Sequence, residues 1–223
     1  MARITVLLPA GGLGTRIGSR TPKQFLRLAG LPILALTVRH FARHPDVRAI
    51  VIAAPEAHVA RARALLGRPR RVALTVVAGG ATRQDSVWRA LQAVPADAEI
   101  VVVHDAVRPF ISRGLIDAVV TGALADGAAI CALPIAETVK RVRDGIVQAT
   151  VDREGLWAVQ TPQAFRLAIL REAHDKARRD GIVGTDEAML VERLGHAVRV
   201  VPGSADNVKI TTPDDLRRAR RRP

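Results

Sequence analysis

Short apolar runs alternate with amphipathic segments along the first two-thirds of the chain. The runs are nearly continuous, as in strands buried on both faces, whereas the segments between them repeat apolar residues at helical spacing. This alternation predicts an α/β protein with a mostly parallel sheet and helices on both faces. The predicted strands cover residues 4–8, 47–54, 73–80, 99–109 and 128–135, and the helices between them cover residues 33–44, 56–67, 82–94 and 112–127.

Residues able to bind ligands follow the first, third and fourth predicted strands. They are a glycine-rich loop after residue 8, the glycine pair Gly79-Gly80, and Asp105 at the end of VVVHD. In parallel sheets, ligands bind beyond the carboxyl ends of the strands. We therefore expect these three segments to meet at one edge of the sheet.

The alternation ends after residue 135, where a hairpin is predicted. Asp144-Gly145 separates two extended runs in TVKRVRDGIVQATV, a strong pattern for a two-residue turn. Neither face of this hairpin is cleanly apolar, and an isolated two-stranded hairpin is only marginally stable in water. We expect a second copy of the chain to cover it. The chain is thus interpreted as a single domain, residues 1–223, with a protruding β-hairpin arm at about 136–155.

The last third of the chain returns to helices and a strand. Helices are predicted at residues 167–178 and 185–195, and a strand at residues 197–201. A final helix begins after Thr212-Pro213, where threonine caps the helix and proline fits its first turn.

The charge balance suits an anionic partner. The chain carries 34 Lys and Arg against 21 Asp and Glu, a formal net charge of +13, which permits nucleic acid or a smaller polyanion. Aromatic residues make up only 3% of the chain and tyrosine is absent, so platforms for base stacking are scarce. The basic residues are spread along the chain except for RRARRR at 217–222. A basic nucleic-acid-binding protein stays an alternative, although no nucleic-acid partner is expected.

The apolar runs and the cysteine usage predict a cytoplasmic protein without a membrane partner. The apolar runs are short and broken by charge, whereas a membrane span needs roughly 20 apolar residues. Cys131 is the single cysteine, so no disulfide can form within the chain. This suits a reducing compartment.

Lysine is rare among the cations. The four lysines are Lys23, Lys140, Lys176 and Lys209, among 34 Lys and Arg. Lysine provides a compact ammonium where arginine provides a planar fork. These four positions are therefore candidates for sites that need a point charge.

The loop PAGGLGTRIGSRTPKQF, residues 9–25, differs from two common phosphate-binding loops. A Walker loop ends G-K-[ST], but Gly18 is followed by Ser19 and Arg20. A dinucleotide fingerprint, G-x-G-x-x-G, has Ile17 at its last position here, and the first acid of the chain is Asp46, too far on to bind a ribose. A dinucleotide-dependent oxidoreductase is therefore disfavoured.

The remaining features of the loop suit a triphosphate. The backbone N–H groups of Gly11, Gly12 and Gly14 can approach phosphates closely. Arg16 adds a bidentate fork and Lys23 a point charge. Seven Lys and Arg residues and no acid precede Asp46.

Asp105 is the candidate metal ligand. A buried strand would deliver its carboxylate to the ligand edge, where Mg²⁺ takes few protein oxygens together with phosphate oxygens. We expect Mg²⁺ or another divalent cation as the cofactor. His104 alternates to the other face and is interpreted as structural.

Six segments together resemble a known enzyme family. The glycine loop resembles that of nucleotidyltransferases that activate sugars and polyols. GGATRQDSV, VVVHDAVRPF, VDREGLWAVQTPQAF, TDEAMLVE and ADNVKIT resemble segments of the 2-C-methyl-D-erythritol 4-phosphate cytidylyltransferases of non-mevalonate isoprenoid biosynthesis. The resemblance runs in order from Val6 to Asp215. It implies a Rossmann-like nucleotidyltransferase fold, cytidylyl transfer from CTP to a polyol phosphate with release of pyrophosphate, and a homodimer through the hairpin arm.

The resemblance also implies roles for individual residues. The catalytic cations are Arg16, Lys23, Arg153 and Lys209. The nucleotide-binding residues are Ala10, Gly11, Gly12, Leu13, Gly14, Gly80, Ala81, Ser86 and Asp105. The acceptor-binding residues are Ala106, Arg108, Thr138 and Thr161. Thr138 and Arg153 lie on the arm and its base, which in the family reaches across the dimer. Two of the four scarce lysines thus fall on matched functional positions.

One alternative acceptor and one departure from the family pattern accompany this interpretation. Ribitol-5-phosphate cytidylyltransferases perform the same chemistry and resemble this chain through the glycine loop and the segment around Asp105. Ala81-Thr82 stands where members of the family often carry an acidic pair. Backbone contacts to the nucleotide remain available at that position.

Overall fold

The computed structural model describes residues 2–12, 21–67, 69 and 71–221. Its strands, in chain order, are β1 (Ile4–Pro9), β2 (Arg27–Leu28), β3 (Leu31–Pro32), β4 (Val47–Ala54), β5 (Ala73–Ala78), β6 (Ile100–Val103), β7 (Ala128–Pro134), β8 (Val139–Arg143), β9 (Ile146–Val151), β10 (Trp157–Arg166) and β11 (Arg199–Pro202). Its α-helices are α1 (Ile33–Ala42), α2 (Val59–Leu66), α3 (Arg83–Leu91), α4 (Arg113–Asp126), α5 (Leu167–Arg179), α6 (Glu187–Glu192) and α7 (Pro213–Arg220). Short 3-10 helices cover Lys23–Phe25 and Glu56–His58.

A seven-stranded sheet, in the order β11-β7-β10-β6-β1-β4-β5, forms the centre of the described structure. Strand β1 pairs in parallel with β4 and β6, β4 pairs in parallel with β5, and β7 pairs in parallel with β11. Strand β10 runs antiparallel to both of its neighbours, β6 and β7. The prediction of an α/β fold with a mostly parallel sheet is confirmed.

Strand β10 is an element that the hydrophobic pattern did not predict. Its sequence, WAVQTPQAFR, is interrupted by polar residues, and its register shifts between Gln160 and Gln163. Gln163 pairs with Val103, the last residue of β6. The polar interruption therefore lies just beyond the end of β6, beside the segment that carries Asp105.

Buried side chains cover both faces of the sheet. Along β1, Val6 and Leu8 belong to one apolar cluster and Leu7 to the other, because successive strand side chains alternate. The first cluster includes residues of α1, α2 and α4, and the second includes residues of α3, α5 and α6. This arrangement confirms helices on both faces.

Local capping residues set several helix boundaries. Thr82 and Asp85 form a capping box at the start of α3, and Thr212 and Asp215 form a second one at the start of α7. Each threonine oxygen accepts a hydrogen bond from a backbone N–H that has no partner within the helix. Of the helices in the described ranges, none is long and apolar enough to cross a membrane.

Strand β6 is shorter than the predicted fourth strand, which covered residues 99–109. It ends at Val103, and the backbone N–H of Arg108 then donates to the carbonyl of Asp105, which closes a turn. The apolar run continues through this turn because Ala106 and Val107 are buried. Burial rather than strand pairing therefore explains the end of that run.

The predicted hairpin is present as β8 and β9. Asp144 and Gly145 have φ angles of 52° and 78°, as a two-residue hairpin turn of the I′ type requires. The two strands form a sheet of their own, apart from the central one. Three apolar side chains on this hairpin, Val142, Ile146 and Val147, are 53%, 67% and 56% exposed.

Candidate functional site

A cavity of about 330 Å³ opens at the carboxyl ends of β1, β5 and β6. The three segments expected to meet at this edge do so. The predicted site residues that line the cavity are Ala10, Gly11, Gly12, Lys23, Gly80, Ala81, Ser86, Asp105, Ala106 and Lys209. Ala106, predicted as an acceptor-binding residue, thus lies with the nucleotide-binding residues. Leu13, Gly14 and Arg16 lie outside the residues that the structure describes.

Lys23 lies directly over the start of the glycine loop. A Cβ atom placed on Gly12 would be 3.2 Å from Cε of Lys23. The next residue, Gln24, is buried and its Nε2 donates to the carbonyl oxygen of Ala10 at 2.6 Å. This hydrogen bond ties the 3-10 helix that carries Lys23 to the end of β1. Gln24 was not predicted, because no local pattern shows that a glutamine beside a lysine is buried.

Ser86 fixes the second glycine segment. Its Oγ accepts from the backbone N–H of Gly80 at 3.1 Å and donates to the carbonyl of Thr82 at 2.9 Å. A Cβ on Gly79 would lie 2.9 Å from the same Oγ, and one on Gly11 would lie 3.4 Å from it. The Ser86 hydroxyl therefore packs closely between both glycine segments, which shapes the wall of the cavity.

Asp105 is the centre of charge in the site. Its Oδ2 lies 2.9 Å from Nζ of Lys209 and 3.3 Å from Nε of Arg108, and its Oδ1 lies 3.5 Å from Nε of Arg83. Burial alone would raise the pKa of Asp105, but Lys209, then Arg83 and Arg108, outweigh burial and hold this pKa well below its usual range. The carboxylate is therefore ionised at neutral pH.

Arg83 and Glu187 form a buried ion pair beside Asp105. Nη1 of Arg83 lies 2.9 Å from Oε1 and 2.8 Å from Oε2 of Glu187, whose side chain is 1% exposed. Burial raises the pKa of the Glu187 carboxyl, and the charge of Arg83 opposes that rise. Neither residue was predicted from the sequence, because a contact between positions 104 residues apart leaves no local pattern.

A second cavity of about 310 Å³ adjoins the first. Arg83, Asp105 and Lys209 line both cavities. Arg108 and Thr161, predicted to bind the acceptor, line the second. Two ligands could thus occupy neighbouring cavities on either side of one group of charges.

Hydrogen bonds fix the wall of the second cavity. Nη1 of Arg108 donates to the carbonyl of Asn207 at 2.6 Å, and Nδ2 of Asn207 donates to the carbonyl of Thr161 at 2.7 Å. The backbone N–H of Asp105 donates to Oγ1 of Thr161 at 3.0 Å. Asn207 is a further residue that was not predicted, and it connects three segments that are distant in sequence.

Two predicted site residues lie apart from both cavities. Thr138 and Arg153 are exposed on the arm and at its base, and neither lines the cavities described above. Arg153 donates to the carbonyl of Ala136 within the arm. Of the predicted catalytic cations that the structure describes, Lys23 and Lys209 therefore line a cavity, whereas Arg153 of the same chain does not.

His104 lies away from the cavities, as predicted from strand alternation. Its ring is buried and packs edge-on against Phe41, with 5.1 Å between ring centroids. Burial lowers the pKa of His104 to about 4, so the ring is neutral at pH 7.

A metal ion at this site would take most of its oxygen ligands from the substrate phosphates and few from the protein. Among the described residues, no cluster of three or more His, Cys, Asp or Glu side chains could hold a metal ion. Asp105 is the acid that lines the first cavity. One carboxylate with substrate phosphates is a common arrangement for Mg²⁺.

The family profile and the similar proteins that match this chain carry the same family name. The sequence profile of the family described as 2-C-methyl-D-erythritol 4-phosphate cytidylyltransferase matches residues 4–221. The chain is similar to proteins of that name from Symbiobacterium thermophilum, 49% identical over 97% of this chain and 91% of that protein, and Syntrophus aciditrophicus, 44% identical over 96% and 93%.

Solved structures of the same family superpose on nearly the whole chain. The enzyme of this name from Thermus thermophilus gives a TM-score of 0.82 at 39% identity, covering 99% of this chain and 98% of that one. The Francisella tularensis enzyme gives 0.85 at 34% identity, covering 98% of both chains. The chain therefore belongs to the 2-C-methyl-D-erythritol 4-phosphate cytidylyltransferase family and is a nucleotidyltransferase.

Proposed function

We propose that the chain transfers the cytidylyl group of CTP to 2-C-methyl-D-erythritol 4-phosphate and releases pyrophosphate, a step of non-mevalonate isoprenoid biosynthesis. The observation that carries this proposal is the pair of adjoining cavities that share Arg83, Asp105 and Lys209. Glycine segments line the first cavity and Arg108 lines the second, in a chain of this family. The family favours this acceptor over ribitol 5-phosphate.

The reaction is a direct displacement at phosphorus. An oxygen of the acceptor phosphate attacks the α-phosphorus of CTP and forms a new P–O bond. The bond from this phosphorus to the bridging oxygen breaks, and pyrophosphate leaves with the electron pair. Because two anions must approach each other, catalysis consists mainly of positioning and charge neutralisation.

The cations of the site divide between the two ligands. Lys23, over the glycine loop, is placed to neutralise the triphosphate of CTP, with Arg16 assigned to the same task by its position in the motif. Lys209 lines both cavities and would contact the phosphates of both substrates. Arg108 would bind the acceptor phosphate.

Asp105 would hold the Mg²⁺ ion or another divalent cation. Its Oδ1 has the longer ion-pair contact, 3.5 Å to Arg83, and is the oxygen better placed to accept a metal. The bound ion would neutralise triphosphate charge and orient the phosphates.

The arm is proposed to join two copies of the chain in a homodimer. Val142, Ile146 and Val147 expose apolar surface there, and such patches mark association sites. Thr138 and Arg153 line neither cavity of their own chain. In the proposed dimer, the arm brings them to the acceptor cavity of the partner.

The proposed location is the cytoplasm, with small anions rather than nucleic acid as partners. Cys131 is buried and its Sγ donates to the carbonyl of Pro162 at 3.3 Å. Burial raises the pKa of this thiol to about 12, which keeps it protonated. A reduced, unreactive thiol suits a reducing compartment.

Pyrophosphate release with different acceptors tests the proposed function. The purified chain with CTP and Mg²⁺ should release pyrophosphate with 2-C-methyl-D-erythritol 4-phosphate and not when the acceptor is omitted. Ribitol 5-phosphate serves as the matched acceptor with the same phosphate group. Turnover with ribitol 5-phosphate alone would contradict the proposed substrate.

A further inference from the structure

The ion pair between Arg83 and Glu187 connects the wall of both cavities to helix α6. Arg83 lines both cavities, and its side chain is 30% exposed. Glu187, the first residue of α6, is buried and lines neither cavity. A role for Glu187 in the reaction therefore has to act through Arg83.

We propose that Glu187 is a positioning residue. Its carboxylate fixes the Arg83 guanidinium, which in turn holds Oδ1 of Asp105 at the junction of the two cavities. The inference rests on the proposed cytidylyl transfer and extends it to a pair of residues outside the catalytic and acceptor-binding residues assigned above.

Cations lie against both oxygens of the Asp105 carboxylate and fix its orientation. Lys209 and Arg108 lie against Oδ2, at 2.9 and 3.3 Å, whereas Arg83 lies against Oδ1 at 3.5 Å. The position of the Lys209 ammonium thus depends on a carboxylate that Arg83 holds from the other side. A shift of Arg83 would move the charges that both substrates meet.

Glu187 restricts the rotamers that the Arg83 side chain can adopt. A long arginine side chain loses considerable rotamer entropy when it is held in one place. Contacts of 2.9 and 2.8 Å to both carboxylate oxygens compensate that cost, because charge-assisted hydrogen bonds of this kind are strong and directional. Without Glu187, Arg83 would be drawn to Asp105 and would compete with Lys209.

Further hydrogen bonds hold the base of α6 against α3. Nε2 of Gln84 donates to the carbonyl of Ile182 at 3.0 Å, and the backbone N–H of Gly184 donates to Oε1 of Gln84 at 2.8 Å. Nε2 of Gln163 donates at 2.7 Å to Oδ2 of Asp186, the N-cap residue of α6. These hydrogen bonds therefore fix the N-terminal end of α6, which carries Glu187, relative to the nucleotide cavity.

Replacing the Arg83–Glu187 ion pair with apolar side chains distinguishes a positioning role of the pair from a stabilising one. Exchanging a buried ion pair for apolar side chains of similar volume is often neutral or stabilising, whereas removing one partner alone is costly. The double variant Arg83→Met with Glu187→Met keeps the formal charge and fills the same space. A purely structural pair predicts a folded, active double variant, whereas a positioning pair predicts a folded variant with low turnover.

The expected result for the double variant is a loss of turnover without a loss of stability. Its midpoint of chemical unfolding should match the wild type, while kcat falls about 100-fold, as misplaced reacting groups cause. The KM for CTP should change by less than about threefold, because the double variant loses an interaction that stabilises the transition state and not the bound substrate. Glu187→Gln should reduce kcat by a similar factor, and Glu187→Asp should restore part of it.

The matched control is the double variant Arg199→Met with Asp126→Leu. This ion pair joins β11 to α4, and neither residue lines the two cavities. Its kcat should equal that of the wild type. A folded Arg83→Met, Glu187→Met variant with wild-type kcat would overturn the positioning role.

A crystal structure of the double variant tests the positioning role independently of the acceptor. The Asp105 carboxylate should rotate and the distance from its Oδ2 to Nζ of Lys209 should change. An unmoved carboxylate would overturn the inference. Wild-type protein assayed alongside with both polyol phosphates reports separately on the proposed function, since an inactive wild type counts against the reaction and not against the geometry.

Discussion

Asp105 is the residue around which the cations of the site are arranged. Arg83, Arg108 and Lys209 come from three segments that are far apart in sequence, and each reaches the same carboxylate. When CTP and a polyol phosphate bind, their phosphates offer these cations new anionic partners. The site therefore holds its positive charge in place before substrates arrive, which is the preorganisation that phosphoryl transfer needs.

Replacing Lys23 with alanine should affect turnover far more than stability. The side chain lies over Gly12 at the proposed nucleotide cavity, and in the proposed reaction it neutralises charge that develops on the leaving pyrophosphate. We expect kcat to fall on the order of 100-fold to 1,000-fold, measured by pyrophosphate release. The matched control, Lys176→Ala, removes a lysine that pairs with Asp180 on the surface and should retain full activity. Near-normal kcat in Lys23→Ala would remove this residue from the catalytic cations.

Gly80→Ala should weaken CTP binding through a steric clash. A Cβ on Gly80 would overlap Cβ of Asp85 and lie 3.0 Å from the carbonyl carbon of that residue, so the loop must move away from α3. The hydrogen bond from its N–H to Ser86 would then be lost. We expect the KM for CTP to rise by about tenfold, as a loss of about 1.4 kcal/mol gives.

Gly114→Ala is the matched control for this steric effect. Gly114 lies in α4, where an added Cβ meets no atom within 4 Å. Alanine also has the higher helix propensity. This variant should keep the KM of the wild type, with equal or higher thermal stability. An unchanged KM in Gly80→Ala would show that the loop tolerates the displacement.

At the scale of elements, local patterns predicted most of the structure. Strand β4 was predicted with its observed bounds, and the threonine cap that begins the last helix was predicted from neighbouring residues. Strand β10 was missed because its polar residues face a cavity rather than the apolar core. The Arg83–Glu187 pair was missed because it depends on how two distant elements pack. Local signals thus predicted the scaffold, and the missed residues lie at the site.

Helix α5 carries a buried histidine that should make stability depend on pH. Neither ring nitrogen of His174 has a hydrogen-bond partner among the described residues. Burial first, then the charges of Arg83 and Arg178, lower its pKa to about 4, while Asp175 opposes the shift. Between pH 6.5 and 4 the unfolded chain therefore binds a proton that the folded chain excludes. The free energy of unfolding should fall by up to about 3 kcal/mol as the pH drops through this range.

His174→Leu should remove the part of that pH dependence that comes from His174, whereas His104, whose pKa burial also lowers to about 4, keeps its own part. Leucine fills the same buried position without polar atoms or a titrating group, so the variant should be at least as stable as the wild type at pH 7. Urea unfolding at pH 7, 5.5 and 4.5 measures the slope. The same slope in both proteins would mean that His174 does not titrate as the structure implies.

At the scale of the whole molecule, the exposed apolar residues of the arm predict association. Ile146→Asp should shift the proposed dimer toward monomer in sedimentation velocity, because it places a charge in the proposed contact. Val183→Asp is the matched control, since Val183 is 70% exposed against 67% for Ile146 and lies outside the arm. A wild-type chain that is monomeric at all concentrations would contradict the arm contact.

Mixed dimers test whether two chains share one site. Lys23 lines the nucleotide cavity of its own chain, whereas Arg153 lies on the arm, apart from both cavities. If the arm supplies Arg153 to the partner, a mixed dimer of Lys23→Ala and Arg153→Ala chains has one site with both defects and one with neither. Each homodimer should be nearly inactive, and the mixed dimer should recover about half of the wild-type kcat per dimer by this site arithmetic.

The contrary outcome of the mixing experiment is equally specific. If Arg153 served the site of its own chain, every site in the mixed dimer would carry one defect, and no activity would return. Differently tagged chains, purified through both tags, ensure that mixed dimers are assayed. Recovery would then show that the arm completes the partner's acceptor cavity, because the residues of that cavity that this chain supplies itself, Arg108 and Thr161, are already in place without it.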